Sequence, residues 1–196
     1  MSDFLSSLAP DVPLAPGMYG AARSPGVTAT PLNLALAHLG AGRGLFGALA
    51  QKFTADLGIA LPTGPKLVCV GAMSFIATRP GGWLVAAEDG DGEALETRLA
   101  ALAGEAGTAC DQSDGTLVYA LTGPDVRAAL AKMVDIDLDP AVFGPGSAAT
   151  TRGSLIGMTL WVTVGGAFRV AVARSYGTAF LRALAQAAAE YGFILT

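Results

Sequence analysis

The chain has 196 residues, of which 52% are hydrophobic and only 14% charged, with a net charge of −4. That length suits one domain or two small halves sharing a core, whereas an ordinary soluble domain is about 25% charged. With a pI near 4.8 and no run of Lys or Arg, nucleic acid is excluded as a natural partner.

The apolar excess, a mean hydropathy of +0.51, has to be placed somewhere. A membrane helix needs about 18 consecutive apolar residues. The best stretch, Ser154 to Ala173, has Gly165-Gly166 at its middle and Arg169 inside, and reads as two strands and a turn. An Ala/Gly-rich fold with much surface buried against a partner explains the composition better, because interfaces are depleted in Lys and Glu and this chain has only Lys52, Lys66 and Lys132.

Residues 1–26 carry Pro10, Pro13, Pro16 and Pro25 and predict an extended arm, with no basic region of a signal peptide. Leu32 to Leu39 alternates partly and is a predicted strand, with a helix as the alternative. A helix over Leu45 to Leu57 follows, with Leu45, Leu49, Phe53 and Leu57 at helical spacing. Lys66 to Val70 is a short apolar run after a Pro/Gly turn. Ser74–Arg79 and Trp83–Ala87 form a hairpin around Pro80-Gly81-Gly82, and Gly92–Ala103 is a helix. Asp111 to Gly115 is a polar break.

Thr116–Leu121 begins a second series as a strand. A helix from Pro124 to about Met133 buries Val126, Ala129, Leu130 and Met133. Thr122 or Gly123 is its expected cap, Pro124 its first residue and Asp125 a match for its positive end. Asp139-Pro140 and Gly144-Pro145-Gly146 break the chain. Strands follow at Ser147–Ile156, Met158–Val164 and Phe168–Ala173. The final helix is expected to be capped by Ser175, to bury Phe180, Leu184, Ala188 and Tyr191, and to wet Arg182, Gln186 and Glu190.

The order strand, helix, Pro/Gly turn, hairpin, helix thus occurs twice. The expected class is α+β: one domain over 27–196 made of two pseudo-repeats, about 27–105 and 113–192, with antiparallel sheets.

Candidate chemistry is sparse. Gly42-Arg43-Gly44-Leu45-Phe46-Gly47 matches a dinucleotide fingerprint, G-x-G-x-x-G, between a strand and a helix. The next strand ends in Gly71-Ala72 and offers no acid for a ribose, and 26 glycines make chance matches easy. His38, the sole histidine, rules out a multi-histidine metal site and reads as a packed residue. No G-x-S-x-G elbow is present. Asp135, Asp137 and Asp139 fail as a calcium loop, because its glycine and glutamate positions hold Pro140 and Gly146. Cys69 and Cys110 form no metal pair and fit buried, reduced thiols of a cytoplasmic protein. Trp83, Trp161 and Phe168 are expected in the core. No catalytic, cofactor-binding or metal-binding residue is assigned, which points to an accessory subunit.

From Leu121 onward, LTGPDVRAALAK, DLDPAVFGPGSAATTR, the strands through Trp161 and FRVAVARSYGTAFLRAL resemble the gamma subunits of heterotetrameric sarcosine oxidase. Arg174-Ser175-Tyr176 opens the last helix as that family's pattern does. LGIALPTGP and GGWLVAAE match more loosely, and residues 1–26 and the Gly40–Gly47 loop depart from it. The resemblance implies a fold like the folate-binding domain of aminomethyltransferases. It implies a non-catalytic chain without a cofactor of its own. Its partners would be alpha, beta and delta subunits, alpha above all, which carry FAD, FMN, NAD, tetrahydrofolate and zinc. The complex would oxidatively demethylate sarcosine or a related N-methyl amino acid. The side bearing Arg152 and the Gly144–Gly146 turn would join the two halves or face alpha. The alternative is a stand-alone folate-binding, aminomethyltransferase-like protein. The K-G-C-Y-x-G-Q-E motif of folate-dependent iron–sulfur assembly proteins is absent.

Overall fold

A computed structural model describes residues 13–20, 25–88 and 91–196. Its elements run β1 (Gly17–Tyr19), β2 (Val27–Leu32), β3 (Ala35–Ala41), α1 (Phe46–Leu57), β4 (Leu67–Val70), β5 (Met73–Arg79), β6 (Gly82–Ala87) and α2 (Gly92–Ala103). They continue with β7 (Gly107–Asp111), β8 (Thr116–Thr122), α3 (Val126–Ala131), β9 (Ala148–Gly153), β10 (Ile156–Val162), β11 (Phe168–Ala173), α4 (Gly177–Ala188) and β12 (Phe193–Leu195). The described residues group into two compact units, those within Asn33–Thr116 with Gly146–Thr150, and those within Met1–Leu32 with Leu117–Pro145 and Thr151–Thr196. The boundary cuts the stretch from Thr122 to Arg152 twice.

The first unit holds a five-stranded sheet in the order β4-β5-β6-β3-β7, antiparallel throughout. Strand alternation sends Ala35, Ala37 and Leu39 of β3, Trp83 and Val85 of β6, and Met73 and Phe75 of β5 to one face. There they form one core with Leu49 and Phe53 of α1 and Leu95 and Leu99 of α2. Phe53 meets Phe75 edge-on, with ring centroids 5.6 Å apart. Helix α2 starts where its chemistry says: the Asp91 carboxylate accepts from Ala94 N–H at 2.7 Å, with Glu93 in the first turn. Helix α1 ends at Gly58, left-handed at φ +69°. The two Pro/Gly turns, which look equivalent in sequence, meet directly. Lys66 bridges Ser147, Leu67 N–H donates to Gly146 O, and Ala148 N–H donates to Pro65 O, both at 2.9 Å.

The other unit carries most of a seven-stranded mixed sheet, β1-β12-β2-β8-β11-β10-β9, in which β12 and β2 are parallel. Helix α4 packs Phe180 on Tyr119 of β8, with centroids 5.5 Å apart. Helix α3 buries Val126, Ala129 and Leu130. Lys132, just past α3, binds Glu190 and donates to Ala187 O at 3.0 Å near the end of α4, over the Tyr191 ring.

Several expectations need correction. Leu32–Leu39 is not one strand: the chain breaks at Asn33-Leu34 between β2 and β3. Strands β2, β7 and β12 lie outside the predicted elements, and the arm contributes β1, paired antiparallel to β12; its residues 1–12 and 21–24 lie outside the described residues. Neither Thr122 nor Gly123 caps α3. The helix starts after Asp125, whose side chain makes no capping bond, so Pro124 is not its first residue. Ser175 does not cap α4 either, because Arg174–Tyr176 form a 3-10 turn and Tyr176 occupies the cap position. Strand β9 stops at Gly153, and a turn separates it from β10. Arg182 is half-buried rather than on the wet face, with its Nε shielded from water.

Candidate functional site

The Gly42–Gly47 loop is the feature that sequence alone marks for ligand chemistry. It follows β3 and opens α1. With Ala41, Thr63, Pro80 and Gly81 it lines a cavity of about 480 Å³. Gly42 N–H donates to Ala106 O, Leu45 N–H turns back to Gly42 O, and Gly44 sits at φ +75°. A dinucleotide fingerprint works because α1 would lead to a parallel neighbouring strand, and because its third glycine lets helix and strand pack closely. Neither condition holds. The sheet is antiparallel, and a Cβ built on Gly47 meets nothing within 4 Å. The α1 cap residue, Leu45, makes no side-chain cap bond. Phe46 stacks on Trp83 at 6.0 Å, so the glycines shape a turn over an aromatic pair.

His38 lies mid-strand in β3, paired with Leu84 and Cys110. Half-buried and near Arg79, its imidazole is held below its usual 6.5, first by burial and then by the Arg79 charge. It is therefore neutral at pH 7. Above 6.5 the folded and unfolded chains both carry neutral His38. As pH falls through 6.5 the unfolded chain takes up the proton first, so stability drops. His38→Gln is expected to shrink the loss of urea midpoint between pH 7.5 and pH 5.5. An unchanged loss would refute that account.

The cysteines are exposed, not buried. Cys69 is on β4 and Cys110 on β7, the two edges of the five-stranded sheet. Four strand spacings of about 4.8 Å separate them, far beyond disulfide reach. Asp137 accepts from Asp139 N–H and Asp139 from Ala141 N–H, each at 2.8 Å, so these carboxylates build turns. Among the described residues, no group of three or more His, Cys, Asp or Glu stands ready for a metal, and no helix is long and apolar enough to cross a membrane. Trp83, Trp161 and Phe168 are all in the core.

The sarcosine oxidase, gamma subunit family model matches residues 42–190. The chain belongs to this family. As a member it is also similar, over 88% of each chain, to heterotetrameric sarcosine oxidase from Corynebacterium sp. U-96 in complex with pyrrole 2-carboxylate, with 27% identity and a TM-score of 0.74. It is similar to the glycine cleavage system aminomethyltransferase T from Bartonella henselae at 15% identity and a TM-score of 0.59, over 82% of this chain and 45% of that one. It spans less than half of that enzyme, and the likeness is one of fold. The α+β, aminomethyltransferase-like architecture holds. No curated protein sequence matches.

Of the residues that carry the gamma-subunit resemblance, Pro140, Gly144 and Gly146 lie in the turn region before β9. A Cβ on Gly144 would sit 2.9 Å from Pro140 O, and Arg152 is exposed on β9. Sequence reasoning missed Arg127. Its Nη1 donates to Leu138 O at 2.5 Å and Phe143 O at 2.9 Å, and its guanidinium lies 4.7 Å from the Phe168 ring centre. One cation thus clasps the Asp/Pro turn to α3 and β11. Both acceptors are backbone carbonyls, so no side-chain pattern signalled the contact.

Proposed function

We propose that this chain is a non-catalytic, structural gamma subunit of a heterotetrameric sarcosine oxidase-type flavoenzyme. In this reading it assembles chiefly with the large alpha subunit, alongside beta and delta, in the cytoplasm. FAD, FMN, NAD, tetrahydrofolate and zinc belong to those partners. The complex oxidises sarcosine or a related N-methyl amino acid and passes the methyl carbon to tetrahydrofolate on another subunit. The carrying observation is the family match over residues 42–190, supported by 88% mutual coverage with a chain of heterotetrameric sarcosine oxidase. The charge-poor composition agrees with a surface made for burial. Co-expression with candidate flavin-bearing subunits tests it. The expected result is a stable complex with a flavin spectrum whose yield collapses when this chain is omitted. A soluble, monodisperse monomer that joins no flavoprotein would refute it.

The likeness to aminomethyltransferase T favours one alternative, a stand-alone folate-binding protein. Calorimetric titration of the isolated chain with tetrahydrofolate decides between them. Saturable heat supports the alternative, and none at high micromolar folate removes it.

A further inference from the structure

Among the described residues, Ser154 and Leu155 are the non-glycine residues with positive φ, at +49° and +71°. They form the two-residue turn between β9 and β10. Positive φ at both positions is the sign pattern of a type I′ hairpin, a turn that favours Asn, Asp and Gly. A leucine is strained there, because its Cβ crowds the following carbonyl oxygen. Leu155 is also 90% exposed, more than any other large apolar side chain described. Its side chain therefore buries almost nothing against its own chain and does nothing to offset the strain.

The turn is firmly seated. Ser154 N–H donates to Met133 O at 3.1 Å, and Gly153 bridges Val134. Any side chain on Gly153 would run into Met158 and crowd Val134. Leu155 is thus presented in one place by a rigid support, which lowers the entropy lost on docking. From Ser147 to Val164 the hairpin strands carry a single charge, Arg152, which is exposed. The hairpin imposes the positive φ but does not call for a leucine, and a residue kept against its turn's own preference points to a function.

We propose that Leu155 is an anchor by which this chain docks on a neighbouring subunit, entering an apolar pocket there whose rim carries a carboxylate facing Arg152. This rests on the subunit reading above. The test co-expresses wild type, Leu155→Asn and Arg152→Glu with the flavin-bearing subunits and measures assembly through a tag on one of those subunits. Asparagine tolerates the turn, so the melting temperature of the full-length chain should rise by about 2–4 °C. Assembly should weaken at least about tenfold. Arg152→Glu should weaken it less, with the larger loss at low salt. If wild type and Leu155→Asn assemble equally, the anchor is wrong while the subunit reading stands. If wild type joins no flavin-bearing subunit, both fall.

Discussion

Replacing Trp83 with alanine is expected to cost about 3–5 kcal/mol, most of the stability of a typical domain at the lower end of its range. Trp83 is 0% exposed on β6, a strand flanked by β5 and β3, where it faces Ala77 and Leu39. Its ring floors the Gly42–Gly47 turn through Phe46 and shares a core with Leu49 and Phe53. Its indole N–H donates to Pro62 O at 2.8 Å, pinning the Pro/Gly turn that enters β4. Alanine would open a cavity between helix and sheet and orphan that carbonyl. Trp83→Phe keeps most of the volume and loses the hydrogen bond, for about 1–2 kcal/mol. Urea unfolding followed by circular dichroism reads both. A loss under about 1 kcal/mol for the alanine variant would show that the site relaxes to fill the void.

Gly123→Ala is the second large effect. Gly123 has φ +120°, and a Cβ there would lie 2.3 Å from Gly26 O and 2.8 Å from Gly26 C. Both neighbours are backbone atoms and cannot swing aside. Gly26 is itself held, its N–H donating to Tyr191 O at 2.8 Å and its carbonyl accepting from Asp125 N–H at 3.0 Å. Backbone strain of about 1–3 kcal/mol adds to overpacking of about 1–3 kcal/mol. The melting temperature should fall by roughly 10 °C. Gly47→Ala is the contrast: Gly47 is in α1 with open space around it, so alanine should stabilise by about 0.5–1 kcal/mol. Equal destabilisation by the two changes would overturn the close-approach argument.

These two glycines also show where sequence reading reaches its limit. The motif around Gly47 suggested a phosphate cradle, and Gly123 suggested a helix cap. A glycine announces only that the backbone needs freedom or room. Which of these it needs depends on a partner such as Gly26, distant along the chain. The turn-clasping role of the half-buried Arg127 was hidden for the same reason, since Leu138 O and Phe143 O have no side-chain signature. The exposed cysteines follow from strand position. Each lies on an edge strand, and sheet order cannot be read from local pattern.

Periodicity and turn chemistry alone sufficed for the α+β class, for α2 at Gly92–Ala103, for the Phe168–Ala173 strand, for Leu49 and Phe53 on the buried side of α1 and for Phe180, Leu184 and Ala188 on that of α4, because these depend on residues three, four or two apart; Leu45, 41% exposed, falls outside α1. The resemblance in the second half sufficed for the family. Strands β1, β2, β7 and β12 escaped because short segments such as GTACD and FIL become strands only when a neighbour supplies hydrogen bonds. The tertiary structure alone decided which residues carry strain and which face water. It put positive φ and 90% exposure on the same leucine, Leu155, because a two-residue loop between twisted antiparallel strands selects a turn with positive φ whatever residue sits at its tip.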